Sequence, residues 1–449
     1  MKEACSYFYW RRVGVMNKKY FVSLFILFGF STFVYAQSKN PYFVTINTEY
    51  NVFPSKDSGN KYLNGWDELT PLIMTYVNND GSISVCSADN DLQDTYVYEY
   101  TKDLQLTGTM VFKNEIDKFG AFTKDGDGNY YFFYARRTTN RSEANMAIVK
   151  YNQEGERANE YKLAAYAQNS MAGVRIPFYA GACRLELSGS MLAVYFAREM
   201  FNGHQASYGF VLNKDTFERI DRGQVENDRY ELIGNNILPY VSHSFNQFIL
   251  PIDGGFLFAD QGDAFPRCFT FGQFKAGNTL KNLKSFVFKK GKTYQYTFAQ
   301  LGGLAKTSNG YIFLGAYEKK SAVSHVSHND SRNLFVLTFD DNLSSCGNPL
   351  WLTNYTDKTA ENAANPKIAL LGSGRYLIMW ECMTQYEYKT TYMQIISENG
   401  EPLSKEVELH DIRLNFNDVL RYNQITGNVH WAVNKGNREI IVYSLNPGN

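Results

Sequence analysis

Residues capable of chemistry concentrate between positions 198 and 267. The run Arg198-Glu199-Met200-Phe201-Asn202-Gly203-His204-Gln205 is followed by Ser242-His243-Ser244-Phe245-Asn246-Gln247-Phe248, and then by Ala259-Asp260-Gln261-Gly262-Asp263-Ala264-Phe265-Pro266-Arg267. The imidazoles of His204 and His243 can hold or move a proton near neutral pH. Arg198 and Arg267 carry planar guanidiniums that grip a carboxylate or sulfate through paired hydrogen bonds. The amides of Asn246 and Gln247 suit sugar hydroxyls. One reading is a polar binding pocket built from Arg198, His204, His243, Asn246, Gln247, Asp260, Asp263 and Arg267. A second is catalytic: a lyase or hydrolase acting on polysaccharide, with His204 or His243 as base and Asp260 or Asp263 as acid. Arg267 would then neutralise a uronate or sulfate. A hydrolase needs its two carboxyls ~5–10 Å apart. A third reading is structural, with Asp263 capping a turn and Arg267 pairing with Asp260 to tie neighbouring sheets.

Elsewhere the signals are thinner. Asp125-Gly126-Asp127-Gly128-Asn129 begins like a calcium loop, but Arg136 stands where the bidentate Glu belongs, so a hairpin turn is expected. His325 and His328 fall in a polar stretch with no third ligand signalled. His410 and His430 are isolated. Zinc-protease, nucleophile-elbow and phosphate-loop motifs are absent from the sequence. Neither a metal nor an organic cofactor is expected.

The elements that would carry these residues are short strands. Tyr130-Tyr131-Phe132-Phe133-Tyr134-Ala135 and Tyr311-Ile312-Phe313-Leu314-Gly315-Ala316 are typical, aromatic and bounded by turn residues. Over residues 242–247 strict alternation sends Ser242, Ser244 and Asn246 one way and His243, Phe245 and Gln247 the other. Thr359 to Ala364 is the best helical candidate. A glycine-bearing turn precedes an apolar run seven times, at Gly81, Gly128, Gly189, Gly254, Gly310, Gly374 and Gly427, with steps of 47 to 65 residues. Each turn follows a short apolar strand such as Cys183-Arg184-Leu185-Glu186 or Lys367-Ile368-Ala369-Leu370-Leu371. An alternating third strand and a polar fourth complete each unit. Four antiparallel strands per repeat is the blade of a β-propeller. The expected fold is therefore all-β, with seven four-stranded blades. The last unit offers only three strands, at 418–422, 429–433 and 439–444. Tyr42-Phe43-Val44-Thr45-Ile46 stands alone near the start, and pairing it with the last unit would close the ring and hide its edges. A pair of packed β-sandwiches is the competing architecture.

The three motif pieces, in their order and spacing, resemble a set found in secreted bacterial propeller-type surface proteins. The resemblance spans residues 198–270 and implies a secreted surface role, with no activity attached. Gln261 stands where the motif carries His, and Phe265 where it carries Tyr. If that His is a base or a metal ligand, the departure argues against activity in this chain.

The ends and the charge balance set the compartment. Asn17-Lys18-Lys19, an apolar run over 20–30 and Val34-Tyr35-Ala36 before Gln37 have the three-part layout of a secretory signal. The start is expected at Met16, with residues 1–36 as upstream extension and signal peptide and residues 37–449 as one propeller domain. The apolar run is shorter than the ~20 residues of a spanning helix, so cleavage rather than anchoring is expected. The full chain of 449 residues balances 45 Lys+Arg against 45 Asp+Glu. Removing residues 1–36 leaves 40 cations against 44 anions, net −4. A mildly acidic chain without a basic run has no electrostatic attraction to nucleic acid. Cys86, Cys183, Cys268 and Cys382 lie in apolar strands, where free thiols act as small hydrophobes. The expectation is a secreted, periplasmic or cell-surface propeller that binds a glycan or another surface protein without catalysis, the lyase or hydrolase being the alternative.

Overall fold

A computed structural model describes residues 41–52, 73–89, 93–165, 173–181, 183–220, 240–262, 267–276, 282–289, 299–318, 332–356, 361–384 and 387–448. The expected signal segment, Asp263, His325 and His328 lie outside them.

The described residues form seven four-stranded antiparallel sheets. The last blade opens the chain: β1 (Tyr42–Asn47) is its outermost strand. Blade 1 follows with β2 (Ile73–Val77), β3 (Ile83–Asp89), β4 (Asp94–Tyr100) and β5 (Leu106–Lys113). Blade 2 is β6 (Lys118–Lys124), β7 (Tyr130–Ala135), β8 (Ala144–Tyr151) and β9 (Arg157–Ala164). Blade 3 contains β10 (Ile176–Pro177), β11 (Cys183–Ser188), β12 (Met191–Glu199) and β13 (Gln205–Asn213). Blade 4 is β14 (Ser244–Ile252), β15 (Gly255–Gly262), β16 (Arg267–Lys275) and β17 (Asn282–Lys289). Blade 5 is β18 (Gln300–Thr307), β19 (Gly310–Glu318), β20 (Arg332–Asp340) and β21 (Leu350–Trp351). Blade 6 is β22 (Glu361–Gly372), β23 (Arg375–Thr384), β24 (Glu387–Ser397) and β25 (Val407–Leu409). Blade 7 is β26 (Arg421–Asn423), β27 (Asn428–Lys435) and β28 (Glu439–Leu445), completed by β1.

The innermost strands touch in a closed cycle, β2 to β6, β11, β14, β18, β22, β26 and back to β2. This is a seven-bladed β-propeller. Its closure is the expected one: β1 runs antiparallel to β28, with Tyr42 opposite Ser444 and Ile46 opposite Ile440. Pairing the two ends of the chain removes the open edge that the three-stranded remainder of blade 7 would otherwise expose.

The seven glycine turns are the turns between first and second strands of the seven blades. In the β6–β7 turn Gly128 takes φ 83°, a left-handed conformation that a side chain disfavours. Asp125 organises that turn, its Oδ1 accepting the backbone N–H groups of Asp127 and Asn129 at 3.0 and 2.9 Å. The calcium-like run is thus a hairpin turn.

Aromatic side chains fill the spaces between blades. Phe133 of blade 2 meets Phe196 of blade 3 at 5.4 Å between ring centres, and Phe269 of blade 4 meets Phe313 of blade 5 at 4.9 Å. Each fully buried Phe contributes about 1.5–3 kcal/mol. This is the use of a composition that is 16% aromatic. Cys86, Cys183 and Cys382 are buried and Cys268 half-buried, all as free thiols.

Two local expectations are corrected. Glu361 to Ala364 are the start of strand β22, not a helix; pairing with β23 supplies backbone partners that override a short helical preference. The alternation over 242–247 is broken as well. His243 takes φ 52°, and a bulge falls between Ser244 and Gln247. A bulge adds a residue to one strand and shifts its faces, so Ser244 and Gln247 meet instead of pointing apart.

Blade 3 is the irregular one. Its inner edge is split: β10 pairs with the end of β12, and β11 pairs with the rest. Ser242 bridges Ala206 of β13 before the chain crosses, within two residues, into the first strand of blade 4.

Candidate functional site

The crossing from blade 3 to blade 4 assembles most of the residues that the sequence marks. His204 lies in the β12–β13 turn and His243 in the crossing, so both belong to the face formed by second-to-third-strand turns and inter-blade crossings. Their rings stand 5.3 Å apart. The Nε2 of His204 shares a 2.9 Å hydrogen bond with the Ser242 hydroxyl. The N–H of His243 donates to Gln205 O at 2.9 Å, which fixes the turn. Both rings are half-buried. Burial lowers the pKa of each; Arg198 adds to the effect on His204, and His204 then Arg267 add to it on His243. Both imidazoles are therefore neutral at pH 7, each with one donor and one acceptor.

The guanidiniums lie deeper. Arg198, at the end of β12, is fully buried; it donates to Gly173 O at 3.1 Å and covers the Tyr208 ring at 4.9 Å. Burial holds it down to about 10. Arg267 opens β16 and is 1% exposed.

Beneath the histidines is a sealed network around Asp260, which is 0% exposed. Its carboxylate oxygens accept from Ser244 Oγ at 2.8 and 2.7 Å, and one accepts from Tyr195 Oη at 2.9 Å. The Gln247 amide donates to the same Ser244 hydroxyl. Burial pushes the Asp260 carboxyl well above the usual range against these hydrogen bonds. Asn246 and Gln247 are also buried. The strand-edge loop 178–181 closes over Gln247, so tightly that a Cβ at Gly181 would lie 2.6 Å from the Gln247 amide oxygen.

The sequence-marked residues thus separate into two layers. His204, Ser242 and His243 reach the surface; Arg198, Asn246, Gln247, Asp260 and Arg267 lie below it. Asp263 lies outside the described residues. Tyr240 is a further surface member that sequence reading missed. It is 39% exposed and feels the charge of Arg198.

A second polar assembly occupies the ring axis, and apart from Gln247, whose carbonyl joins it, the sequence does not mark its members. Arg184 of β11 donates to Gln247 O at 2.8 Å and also to Asn417 O, across the axis. Lys367 of β22 donates to Phe416 O at 3.1 Å and Asp418 O at 2.8 Å. Asp418 Oδ2 accepts the Thr75 N–H at 2.7 Å. Arg421 of β26 donates to Thr75 O at 3.0 Å and to Glu186 Oε1 at 3.1 Å. The available signal was charge in strands that are otherwise apolar. Arg184 and Glu186, two apart, share one strand face.

No family model and no curated protein matches the chain. Solved structures with a similar fold are distant. The Dos1 propeller is 10% identical with TM-score 0.44, covering 81% of this chain and 74% of that one. The Neurospora crassa Pan2 WD40 domain is 10% identical with TM-score 0.44, covering 85% and 90%. An endo-arabinase from Bacteroides thetaiotaomicron is 11% identical with TM-score 0.32, covering 58% and 92%. Such remote likenesses concern the fold alone and carry nothing about activity.

Proposed function

We propose that this protein is exported, residues 1–36 acting as extension and signal, and works as a non-catalytic binding module for a glycan at a cell surface or in the periplasm. The observation that carries this reading is the layering at the blade 3–blade 4 crossing. Neutral His204 and His243 and the Ser242 hydroxyl bonded to His204 are half-buried, partly open to water. Among the described residues, the carboxyls of the cluster are buried, Asp260 at 0% and Glu199 at 8% exposure. A hydrolase or lyase needs an acid that reaches its substrate, whereas recognition of a sugar needs donors, acceptors and an aromatic edge at the surface. Tyr240 and the two imidazoles supply rings for apolar C–H faces. Asn202, exposed beside them, supplies an amide.

Glycan-array binding of the purified protein, lost in His204→Ala/His243→Ala with an unchanged melting temperature, is the expected result. No glycan bound at millimolar concentration, with capture of a surface protein instead, would transfer the same face to a protein partner. Turnover of a polysaccharide abolished by His243→Ala would replace binding with catalysis.

A further inference from the structure

The ring axis holds a cavity of about 440 Å³, within the size range of small-molecule sites. Six of the seven innermost strands contribute to its wall. Phe248, Leu250, Leu304 and Ile368 make most of that wall apolar. The Arg184–Asn417 bridge crosses the axis on one side of it, and there Lys367 with Phe416 and Asp418, and Asp418 with Thr75, join neighbouring blades. The lining residues come from the halves of the inner strands that lead into the glycine turns. The mouth is therefore on the face of those turns, opposite to the face of His204 and His243. Leu370, 39% exposed, and Lys306 mark that mouth.

The charges are unevenly placed. Arg421 and Glu186 form one ion pair in the wall, and Lys306 at the mouth pairs with exposed Asp341. Behind the cavity Arg184 and Lys367 face the single carboxylate of Asp418, while Glu381 is engaged by Arg413. Among the residues that line the cavity, two cations, Arg421 and Lys306, stand against one carboxylate, Glu186, in a chain whose expected exported form is net acidic. A low-dielectric cavity magnifies that imbalance.

We propose that this axial cavity binds a small organic monoanion, an apolar body of aromatic or branched aliphatic character carrying one carboxylate or sulfonate. The apolar body fills the wall of Phe248, Leu304 and Ile368. The anionic group lies against Arg421, which lines the cavity. Glu186 orients Arg421 and, by occupying part of its guanidinium, limits the site to a single negative charge. The inference is independent of glycan recognition: it uses the other face and none of the same residues.

The test is a fluorescence titration of the purified protein with anilinonaphthalene sulfonate, displaced by phenylbutyrate or by uncharged phenylbutyramide. Saturable binding of one probe per chain is expected, with the acid competing about tenfold better than the amide, a difference of about 1.4 kcal/mol. Leu370→Trp, which narrows the mouth from an exposed position, should weaken the probe about tenfold, again about 1.4 kcal/mol, without altering the melting temperature. Glu186→Gln/Arg421→Gln should weaken the sulfonate probe about tenfold and erase the preference for acid over amide. Absence of saturable binding, binding unaffected by Leu370→Trp, or equal competition by acid and amide in the unmodified protein would each overturn the proposal. If the double variant does not fold, the mouth variant and the acid–amide comparison still decide it.

Discussion

Asp260, at the crossing between blades 3 and 4, and Asp418, on the ring axis, are both shut away from water, at 0% and 1% exposure, but they keep different company. Asp260 takes its hydrogen bonds from the hydroxyls of Ser244 and Tyr195. Asp418 lies within the electrostatic reach of Arg184, Lys367 and Arg421. Neutral donors leave desolvation in control, and burial lifts the Asp260 carboxyl. On the axis it is a cation that gives way. Burial and then Arg184 bring Lys367 down to about 7, although Asp418 and Glu381 pull the other way. The comparison shows two ways to keep polar groups inside a propeller: a network that suppresses charge, and one that sets charges against each other. The first loses little when a member is removed, and the second leaves an uncompensated ion.

The sharpest way to break this contrast is Asp418→Ala. It removes the carboxylate whose charge reaches Arg184, Lys367 and Arg421 and leaves Glu186 alone on Arg421, and loss of one partner from a buried ionic group costs roughly 3–5 kcal/mol. Urea unfolding of the purified protein measures it. A loss below about 1 kcal/mol, the range of exposed pairs, would mean that the axis is not held by charge.

Lys367 gives the next effect, read against pH. Its folded pKa of about 7 lies below the unfolded value, so between pH 7 and about 10 the unfolded chain binds the additional proton. Stability therefore rises with pH across that window, by at most about 1.4 kcal/mol per pH unit. Lys367→Met should abolish the rise, and an unchanged profile in that variant would assign it elsewhere.

Asp260 responds with the opposite sign. Its folded pKa is raised, so its contribution is complete below about pH 4 and is lost as pH rises through the folded pKa. Asp260→Asn should cost about 1 kcal/mol in acid, as for one net hydrogen bond, and progressively less toward neutral pH. A penalty that grows with pH would show that the carboxyl is ionised in the fold. Ser244→Ala, which removes one hydroxyl from the same network, should cost about 1 kcal/mol, with a weaker dependence on pH.

The blade 3–blade 4 crossing was legible to a large degree because its parts are near in sequence. Arg198, His204, His243, Asp260 and Arg267 fall within 70 residues, in consecutive blades. Their depth was not legible. Strict alternation put Ser244 and Gln247 on opposite faces, whereas the bulge and the left-handed His243 brought them together over Asp260. Composition does not encode a one-residue shift in register. The axial residues were hidden for another reason: Arg184 meets Asn417 across 233 positions, and Thr75 meets Asp418 across 343.

Strand type, the seven glycine turns and the use of Tyr42–Ile46 to complete blade 7 are local properties, set by the alternation of apolar residues, the conformational freedom of glycine and the edge left by a three-stranded unit. Which charged side chains face one another on the axis is decided only when the ring closes, because the first strands of separate blades share no sequence neighbourhood and acquire a common interior from the curvature of the whole.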